Sequence, residues 1–497
     1  MSGGLIQLVA YGTQDLFITK DPEITFFKIV YRRYTNFSTE AIPQQFTTHP
    51  QFGKKITCKI SKSGDLVGKM HLVITLPNIP KFKDENNEVD HISKFAWVRR
   101  IGYAIIKNIE IEIGGELIDR QYGDWLNIWH ELNITSSKNL DKILGNVEEL
   151  IDFSNGKKCY KLFVPLRFWF NRFPGLSLPV IALKHSHIKI NLEINDINKC
   201  CIIAPTHYID IENDFVNFKP YEYIEQNING IKSLARFIHF DILNRRLYLW
   251  RLTDNGFNGQ SCKYPIYGLD SGFIAIPQID MIEHVHINKS FNKKSIELKE
   301  VFLLVEYIYL DQEERIKFSE SKHEYLIEQI LYSGEKNIDS PHQSYRLGFN
   351  QTCKELQWIS QLNLAQKIND IFNYTNSLKR DKNGELVGDN IILKETIMFN
   401  GLERLSMRES DYFGVIQPYQ NYSNSPETGI NVYSFSLYPE KYQPSGSANL
   451  GKIDDVLLKI SVSHEFENAA KIRIYGVAYN IFRITHGICG LLFDYNP

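Results

Sequence analysis

Apolar and polar residues alternate along most of this chain, and a period of two marks strands that bury one face. In KNIEIEIGGELIDRQ, Ile109, Ile111 and Ile113 alternate with Glu110 and Glu112 and stop at Gly114-Gly115. A strand, a Gly-Gly turn and a second strand predict a hairpin. KKITCKISKSGDLVGKMHLVITLPNI predicts two strands around Ser63-Gly64-Asp65. HSHIKINLEIND alternates through Ile188, Ile190, Leu192 and Ile194, and INVYSFSLYP and AAKIRIYGVAYNIFRI alternate near the C-terminus. KEVFLLVEYIYLD is more continuously apolar, the pattern of a strand covered on both faces. Helices are few and short. Tyr122–Leu132 sets Trp125, Ile128, Trp129 and Leu132 on one face. Asp311 with Glu314 three residues later forms a capping-box pattern ahead of another helix. Short, evenly spaced strands with turn signals predict barrels or sandwiches. Residues from about 197 to 297 break that rhythm with a Tyr/Asn/Ile-rich composition and read as a large insertion with structure of its own. Asp381–Asn390 reads as a polar loop, and no internal sequence repeat is visible.

Composition narrows the class. A length of 497 residues suggests two to four domains. Aromatics reach 13%, with 30 Phe and 27 Tyr, which suits pleated, half-buried surfaces. A net charge of −2 gives no general pull toward nucleic acid or an acidic membrane. No run of 18 apolar residues occurs, and the opening MSGGLIQLVAYGTQD lacks the basic and long apolar regions of a secretory signal. Seven scattered cysteines with no C-x-x-C suggest reduced thiols.

Candidate chemistry is sparse. GSANLGKI (Gly446–Ile453) misses a phosphate-cradling loop by its last residue, where a Ser or Thr hydroxyl would hold Mg²⁺. A strand pattern, not a helix, follows it, through Val456, Leu458, Ile460 and Val462. The pairs His185/His187 and His284/His286 have strand spacing, but no third or fourth metal ligand accompanies them at a recognisable spacing. They read as ordinary strand histidines, and vicinal Cys200-Cys201 reads as structural. Tyr31-Arg32-Arg33-Tyr34 interleaves cations with aromatics; without a basic face around it, packing or a subunit contact is the expectation rather than nucleic-acid binding. Asn36, Asn133, Asn288, Asn350, Asn373 and Asn421 each head an N-x-[ST] sequon. Catalytic motifs such as G-x-S-x-G and H-E-x-x-H are missing, so no enzyme activity, metal or cofactor is expected.

Several longer blocks carry a resemblance. They are GGLIQLVAYGTQDLFITKDPEITFFKIVYRRYTNFSTE, YIYLDQEERIKFSESKHEYLIEQI, FNGLERLSMRESDYFGVIQPYQNYS, VYSFSLYPEKYQPSGSANLGKID and YNIFRITHGICGLLF. Together, in this order, they resemble the major capsid proteins of the nucleocytoplasmic large DNA viruses across residues 3 to 493. The resemblance implies an all-β fold of two consecutive eight-stranded antiparallel jelly-roll barrels, with few short helices and a large loop insertion. It implies an N-terminal arm over 1–25, a first jelly roll over 26–310 containing the insertion, a linker helix over 311–322 and a second jelly roll over 323–497. It further implies a homotrimer of six lobes that tiles an icosahedral shell, assembled in the host cytoplasm. The implied partners are neighbouring capsomers, minor capsid and penton proteins, and an inner viral membrane near the arm. The insertion is longer than this family leads one to expect. By strand count it lies between the last two strands of the first jelly roll, where it would decorate the outer surface or cover a neighbouring loop. Gln443–Gly446 is expected to be a turn between two strands, with Pro444 fixing φ, Gly446 taking positive φ and Asn449 bonding local backbone. The competing readings are a jelly-roll carbohydrate-binding module, a metal-dependent jelly-roll enzyme and a minor capsid paralogue.

Overall fold

The computed structural model describes all residues except 1–2, 11, 85, 136–138, 260–263, 285–292, 294–295, 382–383 and 496–497. The sandwich of the first unit is built from eight strands: β1 (Phe37–Gln45), β2 (Lys55–Lys59), β3 (Leu66–Leu76), β4 (Ile106–Ile113), β5 (Glu116–Tyr122), β6 (Tyr160–Pro165), β7 (Ile188–Ile194) and β8 (Glu300–Leu310). They form two antiparallel four-stranded sheets, ordered β1-β8-β3-β6 and β2-β7-β4-β5. The β4–β5 hairpin turns at Gly114 (φ 66°) and Gly115 (φ 92°). Positive φ at both central positions is what a turn matching the strands' twist requires. Alternation does the burying: Ile188, Ile190, Leu192 and Ile194 on β7 face Ile109, Ile111 and Ile113 on β4 in one core.

The second unit repeats the plan. Its eight corresponding strands are β9 (His323–Asn337), β10 (His342–Arg346), β11 (Thr352–Leu362), β12 (Ile392–Phe399), β13 (Leu402–Glu403), β14 (Ile430–Ser434), β15 (Val456–Val462) and β16 (Ala470–Thr485), with the short strands Arg408–Glu409, Ala448–Asn449 and Ile488–Leu491 added at the sides of the sheets. The sheets run β9-β16-β11-β14 and β10-β15-β12-β13, which is the first unit's order with eight added to every number. The repeat invisible in the sequence is complete in the topology. Between the units, the Asp311 side chain accepts a hydrogen bond from Glu314 N at 2.9 Å and caps the helix Gln312–Glu320. In each unit the two sheets face one another without a backbone ladder joining them among the described residues, so each is a jelly-roll sandwich rather than a closed barrel.

The insertion leaves the first unit between β7 and β8. It carries a seven-stranded antiparallel sheet of its own, built around Ile209, Ile224, Leu247, Leu249 and Ile266. Its first strand, Cys201–Ala204, pairs with Lys94–Trp97 from the β3–β4 connection. Phe95 in turn bridges to Ser154 from the β5–β6 connection. Three long connections therefore meet at one end of the sandwich, and the insertion covers its neighbours there. It also reaches the second unit: Tyr223 Oη accepts from Arg380 N at 3.0 Å, and Lys379 pairs with Glu225 at 3.1 Å.

Several local readings change. β8 is buried on one face only; Phe302, Leu304 and Ile308 on the other are half-buried, because nothing in this chain covers them fully. His185 and His187 precede β7 instead of lying on it; both are exposed, and the backbone there is held by His185 N donating to Gly487 O at 3.1 Å. The first strand begins at Phe37, so exposed chain continues beyond residue 25.

Candidate assembly surfaces

The joint between the units is built from buried polar groups. β5 of the first unit runs against β9 of the second. Asp119, on β5, is fully buried and accepts hydrogen bonds from Ile330 N and Gln121 Nε2, both at 3.0 Å. Burial pushes its carboxyl up to about 6. Gln329 answers from β9 by donating to Ile118 O. Glu328 lies between Arg172 and Lys354. Burial opposes its charge, but the two cations win and hold its carboxyl below the usual glutamate range. Arg473 on β16 pairs with Asp124 and Glu335. Aromatic rings fill the space between these ions. Tyr122 lies 4.7 Å from Tyr332, which stacks at 4.8 Å on Tyr475, and Trp169 meets Phe482 at 5.6 Å. Paired buried charges and interlocked rings make the two sandwiches one body, since removing either partner of such a pair strands a charge out of water.

Apolar groups are left exposed elsewhere. The segment before β1 carries two short helices, Gly3–Val9 and Thr13–Thr19, then extended chain. Phe26, Phe27, Ile29 and Val30 are all exposed, Phe27 at 96%. Tyr31-Arg32-Arg33-Tyr34 belongs to this stretch and is exposed throughout. The second unit exposes Leu402, Val415, Ile416, Tyr419, Leu437 and Tyr438. Where exposed apolar side chains gather into a patch, they mark a contact site.

The other residues singled out in the sequence divide clearly. Gly446 has φ 136°, and a Cβ there would lie 2.6 Å from Phe435 O. Beside it Ser445 Oγ lies 2.7 Å from Ser436 Oγ and accepts from Tyr438 N at 2.8 Å. Pro444 precedes this contact, and Asn449 pairs with Thr352 at the edge of β11. Only a single tight helical turn, Leu450–Lys452, follows before β15, so the phosphate-binding helix N-terminus is missing. Cys200 and Cys201 are both buried, at a helix-to-strand junction. His284 packs 5.3 Å from Tyr248, while His286, Asn288 and Cys262 lie outside the described residues. Among the described residues, no three His, Cys, Asp or Glu side chains gather as a metal site. Of the sequons, Asn373 is fully buried and donates to Ser377 O at 2.8 Å. Asn133 and Asn421 donate to Trp129 O (2.9 Å) and Gln417 O (3.0 Å), whereas Asn36 and Asn350 are exposed. Sequence reasoning missed Asp119, Glu328 and Arg473. The available signal was a charge at a position where strand alternation demands an apolar residue, as Asp119 does in ELIDRQY.

Comparison with known proteins converges on one group. Residues 25–237 match the family described as major capsid protein N-terminus, and residues 314–490 match the large eukaryotic DNA virus major capsid protein family. The chain is 42% identical to "Probable capsid protein 4" of Acanthamoeba polyphaga mimivirus, covering 99% of both chains. It is 30% identical to the major capsid protein of Phaeocystis pouchetii virus, over 99% of this chain and all of that one. In fold it resembles the chain in the quasi-atomic model of the PBCV-1 virus capsid, with TM-score 0.63 and 22% identity over 95% of this chain and 100% of that one. The doubled sheet order, the fused units and these full-length likenesses agree: the chain belongs to the major capsid protein family of large eukaryotic DNA viruses.

Proposed function

We propose that this chain is the structural shell protein of a large double-stranded DNA virus. Three copies associate as a pseudo-hexagonal capsomer, and capsomers tile the icosahedral capsid. The observation that carries this reading is the sheet order repeated across a rigid joint. One chain then supplies two similar lobes at a fixed angle, and three chains supply six. Closed three-fold symmetry repeats one contact three times, and the six-lobed outline packs on a flat facet. The role is mechanical, and its requirement is broad, dry contact surface.

The exposed segment before β1 fits the inner end of such a capsomer, toward minor capsid proteins and an inner viral membrane, where it orders on assembly. The insertion fits the outer end. Division of the chain into an arm, two jelly rolls and a linker helix follows the same reading, as do penton contacts and assembly in the host cytoplasm. Gly446 serves this shell in the strand-linking segment that follows Pro444, and Asn449 ends that segment by pairing at the edge of β11. Any glycan would sit on Asn36 or Asn350, the described sequon asparagines with free exposure. Electron microscopy of the purified protein tests the reading: particles with six lobes and a hexagonal outline are expected, and two-lobed particles would contradict it. A second reading, a minor shell component, draws on one observation, the numbered capsid name of the 42% identical relative. Quantitative mass spectrometry of virions separates the two, since the principal shell protein outnumbers every other capsid component.

A further inference from the structure

A cleft of about 500 Å³ opens where the insertion meets both sandwiches, a volume suited to a small-molecule ligand. Four segments line it: the β3–β4 connection with Trp97 and Arg99, the β5–β6 connection with Phe153, the insertion with Arg236 and Trp250, and the β11–β12 connection with Arg380. Phe153 meets Trp250 edge to face at 5.4 Å, and the Arg236 guanidinium lies 5.2 Å from the Tyr223 ring. Of the three arginines, only Arg380 has a carboxylate partner among the described residues, Asp370 at 2.6 Å. The other two donate to neutral oxygens. Arg99 donates to Asn146 Oδ1 at 3.3 Å and to Gly384 O, and Arg236 donates to Tyr221 O at 2.9 Å. Arg380 also donates to Gly384 O, at 3.1 Å, so two guanidiniums converge on one carbonyl oxygen. Burial and the nearby Arg380 charge pull the Arg99 pKa below the ordinary arginine value. Glu427, which acts on Arg99 in the opposite sense, is already engaged by Arg100 at 3.8 Å.

A guanidinium held partly out of water is met best by an anion, and a carbonyl is a weaker substitute. The gathered cations therefore call for an anionic ligand group. The rim narrows the class. Glu148, Asp152 and Asp381 also line the cleft, and all three are exposed. Acids at the rim and cations within disfavour a multiply charged ligand and admit a single negative group. The same carboxylates accept hydrogen bonds from hydroxyls, as Asn146 and Asn369 do beside them. We propose that this cleft binds an acidic sugar. Its carboxylate lies among Arg99, Arg236 and Arg380, its hydroxyls meet the rim, and the apolar face of its ring packs on the aromatic side chains. The insertion thereby gains a role beyond covering its neighbours. On a shell that carries the insertion outermost, the cleft would open to the surroundings. That placement rests on the proposed capsomer, whereas binding by the free chain does not.

Tryptophan fluorescence of the purified full chain reads the binding, since Trp97 and Trp250 line the cleft, and saturation-transfer NMR checks it. The probes are methyl glucuronide and N-acetylneuraminic acid, with methyl glucoside as the uncharged match and inorganic phosphate as an anion without a ring. The acidic sugars should give a saturable response. Methyl glucoside, which lacks only the acid group, should bind about ten-fold more weakly or worse. Arg99→Gln and Arg236→Gln should each weaken binding of the acidic sugars by about ten-fold while melting as wild type does. If Arg99→Gln unfolds, Arg99→Lys takes its place, because it keeps the charge and loses the planar fork. No saturable response to either acidic sugar would overturn the proposal, as would folded variants with wild-type affinity. Equal affinity for methyl glucoside or for phosphate would overturn the assignment to an acidic sugar. A chain that binds as a monomer would uphold the proposal and contradict the capsomer, so the two readings fail separately.

Discussion

Glu395 is a carboxyl group in the core of the second sandwich. It is fully buried on β12, and its carboxyl receives one hydrogen bond, from Trp358 Nε1 at 2.6 Å. Burial pushes it up to about 8 from an ordinary 4.5. The folded chain therefore holds this proton more tightly than the unfolded chain does. Its contribution to stability is complete below about 4.5 and is lost as pH rises through about 8. Glu395→Gln keeps an acceptor for Trp358 without a charge. Its melting temperature should vary less than wild type's across that window, and between pH 4 and pH 8 the variant should gain about 4 kcal/mol relative to wild type. Melting curves at several pH values check this; parallel curves for the two proteins would contradict it. Gly446 is constrained by backbone rather than charge. Gly446→Ala forces a side chain into positive φ and against Phe435 O, and should cost about 1–3 kcal/mol in chemical denaturation.

Elements show what was legible in the sequence and why. The β4–β5 hairpin was readable because its alternation and its Gly-Gly turn are neighbours in the chain. The helix after Asp311 was readable because a cap needs only three residues of separation. That helix buries no side chain, so its cap carries much of its stability. Asp311→Ala should therefore cost about 1 kcal/mol, read as earlier loss in denaturant. The pattern of β8 was also readable, but its meaning was not. Continuous apolarity suggests cover on both faces, and within this chain one face stays half-open. A periodicity argument cannot say whether the cover belongs to the same chain. The segment before β1 makes the converse case. Its described side chains are exposed, so deleting residues 1–25 should leave the melting of the folded chain unchanged within about 0.5 kcal/mol. A larger loss on deletion would mean that the segment packs on its own sandwich.

At the scale of the molecule, the doubled plan and the joint between its halves decide what the protein does. Neither was legible from local pattern. The sheet order repeats without a visible sequence repeat, because topology constrains periodicity and burial but not side-chain identity. The joint's ions lie far apart in the chain: Arg172 meets Glu328, and Arg473 meets Asp124. No spacing rule links such residues. Arg473→Ala should cost about 3–5 kcal/mol, since it leaves Asp124 without its cation in a largely buried joint, and calorimetry should register the loss as a lower melting temperature. The joint matters to the proposed capsomer because a fixed angle between two lobes is what would let three chains close on themselves. The mass of the purified wild-type chain in solution, by light scattering over a dilution series, tests that closure most directly. A persistent species at three times the 57.8 kDa chain mass is the predicted result, and a well-folded monomer at every concentration would contradict it.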